Sequence, residues 1–364
     1  MKLFTYLFAV VLFSSQAALA EEKRVLMLIS GFGTEDNPEL SYDLEELAQS
    51  YLVLHDNGVQ LDIASPKGGA VLVKNNKDSL AYIQRFKALA TEKLANTLAT
   101  EDIDIEQYDG VFIVGGAGAM LDLPVHEPTQ ALLTSAVIND LVITAVCHGP
   151  AAIADIKMPD GSYFVAGKQV NGFTNIEEHA FSGEHLAQFP FLLQDRLVKN
   201  GARFVHNAPM LPYVAVDGKL ITAQNPGSVA KAAEAMVLAM SLPIVQRTPF
   251  VDENTLALLS QARQNGPVLI DLAMQNPDHD IDVNYLALYG FYAYRLADDA
   301  DKTRELAIMN TIGNHFSHPE FDGQLILNLM EQGQLKQAKE AYSDFVKRYP
   351  DHDYVSELKT KLML

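Results

Sequence analysis

Leu141-Val142-Ile143-Thr144-Ala145-Val146-Cys147-His148-Gly149-Pro150 is the stretch that decides the fold. An apolar, β-branched run that stops at small residues reads as a buried strand turning into a helix. A nucleophile on such a strand-to-helix elbow stands above the sheet edge, with the following backbone N–H groups pointing at it. Cys147 occupies that position and is the only cysteine in 364 residues. A thiol at a helix N-terminus is biased toward thiolate by the helix dipole. His148, next in line, supplies a base or hydrogen-bond partner. The plain alternative is a buried structural cysteine with an incidental histidine beside it, and the surrounding pattern favours the functional assignment.

Upstream, Arg24 to Ile29 reads as the first core strand. Ser41 to Asn57 reads as a helix, with Ser41 as its cap, an apolar face of Leu44, Leu47 and Leu54, and Gly58 as its end. Val59 to Ala64 follows as a second strand, giving a parallel βαβ unit. Lys74 to Gln107 is polar, partly helical and long for a connection, as expected of an insertion that covers a site. Val111 to Val114 is a buried strand ending at Gly115-Gly116-Ala117-Gly118, where glycines let backbone N–H groups approach a ligand. Thr129 to Ile138 is a helix.

Downstream, a helix is expected over Ala151 to Asp155, and another from Phe191 to Asn200. Tyr213 to Val216 and Leu220 to Thr222 pair as a hairpin over Asp217-Gly218. Asn225-Pro226-Gly227-Ser228 caps an Ala-rich helix to Met240. The strand–helix alternation ends near Pro243 and Pro249. From there to Leu364 the pattern is one of amphipathic helices joined by polar turns. Gly333, Ala338, Tyr342 and Pro350 have spacings similar to a tetratricopeptide helix pair. The expected organisation is a leader over residues 1–20, an α/β domain over 21–245, and a smaller all-α helical-hairpin domain over 250–364.

Lys2, an apolar core from Leu3 to Phe13 and Ala18-Leu19-Ala20 form a secretory signal with cleavage expected after Ala20. No later run has the length of a membrane span. A secreted or periplasmic protein is expected. An unpaired thiol in an oxidising compartment must be buried or used. The formal charge of −19 opposes nucleic-acid binding. The histidines are scattered, and the pairs His179/His185 and His315/His318 lack companions, so neither a metal nor a cofactor is expected.

The ordered set of Glu45-Glu46-Leu47 before Gly58, Ala64-Ser65-Pro66-Lys67-Gly68-Gly69, Tyr108-Asp109-Gly110, Gly115 to Pro124, Ala145 to Pro150, Gly172-Phe173-Thr174-Asn175 and Gln224-Asn225-Pro226 resembles the ThiJ/PfpI superfamily. That superfamily shares the class I glutamine amidotransferase-like fold, a flavodoxin-like parallel sheet sandwiched by helices. The likeness covers about Lys23 to Leu242 and is nearest to the glyoxalase III and heat-shock chaperone branch. It implies that Cys147 is the nucleophile and His148 the catalytic histidine. It implies Glu178 as the acidic third member, with Glu177 as runner-up, and Glu46 as the carboxyl that touches the sulfur. The backbone N–H groups of Gly116 and His148 are implied as the oxyanion hole. A protonated carboxyl beside a thiolate donates a hydrogen bond to it and shuttles a proton. Relatives often carry histidine where this chain has Ala117, and they usually lack the helical domain.

The resemblance implies a cofactor-free enzyme acting on reactive carbonyls, by methylglyoxal-to-lactate or deglycase-like chemistry without glutathione. Related peptidase chemistry belongs to the same class, whereas amidotransfer would need a synthase domain. The alternative is an exported holdase or redox sensor that oxidises Cys147 and binds a protein partner through its helical domain. A third possibility is an inactive scaffold, favoured by Ala117. A homodimer fits any of these.

Overall fold

The computed structural model describes residues 22–73, 77–276 and 280–363. The leader expected over residues 1–20 lies outside them. The first part of the chain runs β1 (Arg24–Leu28), α1 (Leu44–Asp56), β2 (Gln60–Ser65), β3 (Lys67–Gly69), α2 (Ala81–Ala95), β4 (Thr97–Ala99), β5 (Gly110–Ile113), α3 (Glu127–Ile138) and β6 (Val142–Val146). It continues with β7 (Gln169–Val170), α4 (Asn175–Phe181), α5 (Leu193–Lys199), β8 (Arg203–Phe204), β9 (Val214–Asp217), β10 (Leu220–Ala223) and α6 (Val229–Ala239).

The main sheet has the order β3-β4-β2-β1-β5-β6-β10-β9. Pairing is parallel from β4 through β10, and the outermost strands β3 and β9 are antiparallel to their neighbours. The central strands are apolar at nearly every position because both faces are covered. Along β1, Val25 and Met27 pack with α1 and α6, while Leu26 and Leu28 pack with α3 and α5. This alternation puts the carboxyl ends of β1, β5, β6 and β10 side by side, where ligands of open α/β sheets bind.

Three local expectations are corrected. Asp43 caps α1, its Oδ1 accepting from the N–H groups of Glu45 and Glu46 at 2.9 and 3.0 Å. Ser41 instead donates its hydroxyl to the Leu72 carbonyl at 2.6 Å. Either residue type caps helices, and the chain geometry two residues later decides between them. The glycine stretch after Ser65 forms β3, and the polar insertion contributes β4 as well as α2, so the two make an edge ribbon. The helix expected over Ala151 to Asp155 is replaced by a 3₁₀ turn over Gly149–Ala152, although Pro150 at its start and the alanines after it are compatible with a helix, so tertiary packing rather than local propensity sets this turn.

Seven helices follow among the described residues: α7 (Val251–Asn265), α8 (Val268–Met274), α9 (Val283–Leu296), α10 (Asp299–Ile312), α11 (Pro319–Glu331), α12 (Leu335–Arg348) and α13 (Tyr354–Lys361). Gly333 turns α11 into α12 with φ +71°, and Ala338 is wholly buried between them. None of the described helices is long and apolar enough to cross a membrane. The helical part shares its core with the first part, since Met210 and Leu211 belong to the same apolar cluster as α7, α9 and α10. Arg247 ties α6 to α7 by bonding Glu234 and, with two nitrogens, Glu253. Gly227 lets α7 come close: a Cβ there would lie 2.3 Å from Leu256 Cδ1.

Candidate active site

β6 delivers Cys147 in a left-handed conformation, φ +55°, that a non-glycine residue adopts only under local constraint. Two backbone bonds hold it there. Its N–H donates to Ala223 O of β10 at 2.8 Å, and its carbonyl accepts from Phe173 N at 2.9 Å. The sharp turn presents the sulfur above the sheet edge between β5 and β10.

Glu46 reaches the same point from the first turn of α1. Its Oε2 accepts from Gly115 N at 2.8 Å, at the end of β5. A Cβ on Gly115 would lie 2.7 Å from both Cys147 Cβ and Glu46 Oε2, so only glycine lets carboxyl and cysteine meet across this strand end. Glu46 is 1% exposed, and its Oε1 has no hydrogen-bond partner among the described residues. Burial, then the neighbouring Asp43 carboxylate, pushes the Glu46 carboxyl well above the usual range.

Cys147 behaves differently from the thiolate expected at a helix N-terminus. Burial, followed by the carboxylates of Glu46 and Asp43, pushes its thiol well above the ordinary value. With only a 3₁₀ turn behind it, no helix dipole opposes that shift. Both shifts favour the neutral forms, thiol and carboxyl, and two interacting groups of this kind titrate as a unit.

On the other side of the sulfur, His148 Nδ1 lies 3.6 Å from Cys147 Sγ. His148 Nε2 faces Glu178 Oε1 and Oε2 at 3.1 and 3.2 Å. Burial works to raise Glu178, but the His148 hydrogen bond and charge, with the Ser182 hydroxyl, outweigh it and hold the carboxyl below its usual value. Whenever the imidazole is neutral, an Nε2–H donated to Glu178 leaves Nδ1 as the acceptor that faces the thiol. The Phe173 and Phe189 rings flank the imidazole at 4.7 and 5.7 Å between centroids.

Glu177 has other partners. Thr174 and Glu177 form a reciprocal capping box at the start of α4. Glu177 also accepts from Met210 N at 2.9 Å, Gln224 Nε2 at 3.1 and 3.2 Å and Asn225 Nδ2 at 2.9 Å. The structure therefore brings together Cys147, His148, Glu178 and Glu46, and leaves Glu177 outside that cluster. A signal for this was present: Thr174-x-x-Glu177 is the capping-box pattern, which assigns the first glutamate to the helix cap.

Gly116 has φ +93°, and a Cβ there would fall 2.5 Å from Asp43 N. The N–H groups of Gly116 and His148 have no acceptor among the described residues. Ala117 begins the 3₁₀ turn after Gly116, at the mouth of a small depression with Tyr42 and Lys77. Sequence reasoning missed a cavity of about 390 Å³ next to Glu46 and Phe173, whose far wall is built by α7 and α9. That wall is separated from Cys147 by more than a hundred residues of chain, and no local pattern signals it.

Residues 23–239 match the model of the DJ-1/PfpI family. The chain is 28% identical over 241 residues to a glutathione-independent glyoxalase of Schizosaccharomyces pombe, an alignment spanning 60% of this chain and 96% of that protein. It is 29% identical over 237 residues to a glutathione-independent glyoxalase of Saccharomyces cerevisiae, spanning 60% and 98% respectively. Among solved structures, the Rapid Encystment Protein 24 kDa of Francisella tularensis superposes with TM-score 0.55 at 30% identity, covering 60% of this chain and 99% of that one. Glyoxalase III of Candida albicans shares the fold, with TM-score 0.53 at 22% identity over 60% of this chain and 97% of the other. The family match takes in more than half of the sequence and all the strands of the main sheet. By that match the chain belongs to the DJ-1/PfpI family.

Proposed function

We propose that this protein is an exported, glutathione-independent enzyme acting on reactive 2-oxoaldehydes, with Cys147 as nucleophile. The observation that carries the proposal is the meeting of Cys147 with His148–Glu178 on one side and the buried Glu46 carboxyl, whose shift favours its protonated form, on the other. The naming of similar proteins as glutathione-independent glyoxalases supports the substrate class. The leader-like residues 1–20 support export.

The chemistry is a net addition of water to methylglyoxal. His148 Nδ1 takes the thiol proton, and the sulfur bonds to the aldehyde carbon. The N–H groups of Gly116 and His148 steady the oxygen, which takes a proton from Glu46, giving a hemithioacetal. The Glu46 carboxylate then removes the hydrogen from that carbon, while imidazolium protonates the neighbouring ketone oxygen. Glu46 returns the hydrogen to the adjacent carbon as His148 takes the hydroxyl proton, leaving a lactoyl thioester on Cys147. Water adds to the thioester and gives a proton to Glu46. The sulfur leaves and recovers its proton from His148. Lactate is released and each residue regains its starting state.

A buried thiol with a raised pKa weighs against the redox-sensor alternative, since oxidation favours exposed thiolates. The test is to follow lactate from methylglyoxal with the purified, reduced chain and no glutathione. Turnover supports the proposal. Its absence with methylglyoxal, phenylglyoxal and glyoxal alike overturns it.

A further inference from the structure

The cavity beside Glu46 is built by both parts of the chain. The first part supplies Asp43, Glu45, Glu46 and Glu177. The helices supply Asp252 from α7 and Asp282, the N-cap of α9. Lys77 is the one cation in this lining among the described residues, and it pairs with Glu45 at 3.3 Å. None of the other five carboxyls forms a salt bridge among the described residues, although Lys77 also acts on Asp43 through its charge. Asp43 and Asp282 accept from helix N–H groups, Glu177 from neutral amides and hydroxyls, and Asp252 from the Gln49 amide at 3.0 and 3.1 Å. Buried Glu46 adds an independent sign, because its Oε1 has no partner although the residue lines the cavity.

The remaining walls are aromatic. Tyr82, Phe173, Phe181 and Tyr285 face the same space. Carboxylates and ring faces together are the environment that receives a positively charged nitrogen. A simple neutral aldehyde makes no use of it, and an anionic carbonyl compound is repelled by it. Cys147 lies next to this space, since Glu46 and Phe173 belong to both.

We propose that this cavity is a subsite for a cationic nitrogen, so that the preferred substrate is a reactive carbonyl compound carrying an ammonium or guanidinium group. This rests on the carbonyl chemistry proposed above. The appended helices then act in substrate choice, by adding Asp252 and Asp282 to the lining that also holds Glu46.

The full chain is assayed with three arylglyoxals that share one reacting group: phenylglyoxal, its para-trimethylammonium derivative and its para-carboxylate. The expected kcat/KM is at least tenfold higher for the cation than for the neutral compound, with the anion lowest. Agmatine binding is measured in parallel by calorimetry. Asp252→Asn keeps an acceptor for Gln49, and Asp282→Asn keeps a helix cap. Each is expected to lower the cation-to-neutral ratio and to weaken agmatine severalfold. Equal kcat/KM for the three glyoxals, or agmatine binding unchanged in both variants, overturns the subsite. If no glyoxal is turned over, the carbonyl chemistry fails, and agmatine binding alone decides the subsite.

Discussion

The two sides of the Glu46 carboxyl are built on opposite plans. Toward Cys147 the space is tight: strand ends, glycines and backbone bonds leave room for one sulfur, one imidazole and one carboxyl. Toward the helices the space is open, acidic and aromatic, with a wall drawn from a part of the chain beyond the family match. The difference teaches that reaction and selection are separable here. The first depends on sheet register and tolerates little change. The second depends on how α7 and α9 sit over the sheet edge, and can be altered with the sulfur left in place.

The sharpest break of this comparison is Cys147→Ser. It is expected to reduce lactate formation roughly a thousandfold or more while the fold, read by circular dichroism, persists. Glu46→Gln keeps the shape and the bond from Gly115 but removes the proton carrier. A loss of about 10²- to 10⁴-fold in kcat is expected in the same assay.

The neighbouring glutamates sharpen the comparison. Glu178→Gln lets an amide donate to His148 Nε2, which turns Nδ1 into a donor and removes the thiol's acceptor. About a hundredfold loss of kcat is expected with little change in melting temperature. Glu177→Gln sets an amide against the donors of Met210, Gln224 and Asn225. It is expected to cost about 1–3 kcal/mol in denaturant unfolding. Equal effects of the two on stability would erase the distinction between them.

The last effect lies away from both spaces and touches stability alone. Burial pushes Asp122 up to about 6, although Gly31 N donates to its Oδ2 at 2.7 Å. Because its folded pKa is raised, the stability it allows below its unfolded pKa, about 4, is lost as pH rises through about 6. Asp122→Asn is therefore expected to stabilise the protein at pH about 8 by up to roughly 2–3 kcal/mol and to change little near pH about 4. Thermal unfolding at the two pH values checks it.

Much of the α/β architecture was legible because it is written locally. Apolar runs at β1, β5 and β6 mark strands buried on both faces, and Gly58 and Asn225 to Ser228 mark helix ends. Cys147 and His148 follow directly on the end of β6 and were legible there, whereas Glu46 on α1 and Glu178 on α4 were reached only through the family resemblance. What was illegible depended on contacts distant in sequence or on competition between neighbours. Ser41 and Asp43 are both capping residues, and the Leu72 carbonyl takes the first. The edge ribbon of β3 and β4 has too few residues to show alternation. The thiolate expected at Cys147 presupposed a helix where the chain makes only a 3₁₀ turn, and it could not include the burial that a folded neighbourhood imposes.

The central claim is that the sulfur of Cys147 carries the substrate while Glu46 moves its proton. The direct test is a rapid quench of the full chain with methylglyoxal, followed by peptide mass spectrometry, in the native protein and in Glu46→Gln. The account predicts that the variant accumulates the mass of one methylglyoxal on the peptide containing Cys147, while the native protein clears it to lactate. Lactate formed with no adduct on Cys147 in either protein, or an adduct confined to lysine and arginine side chains, would contradict it.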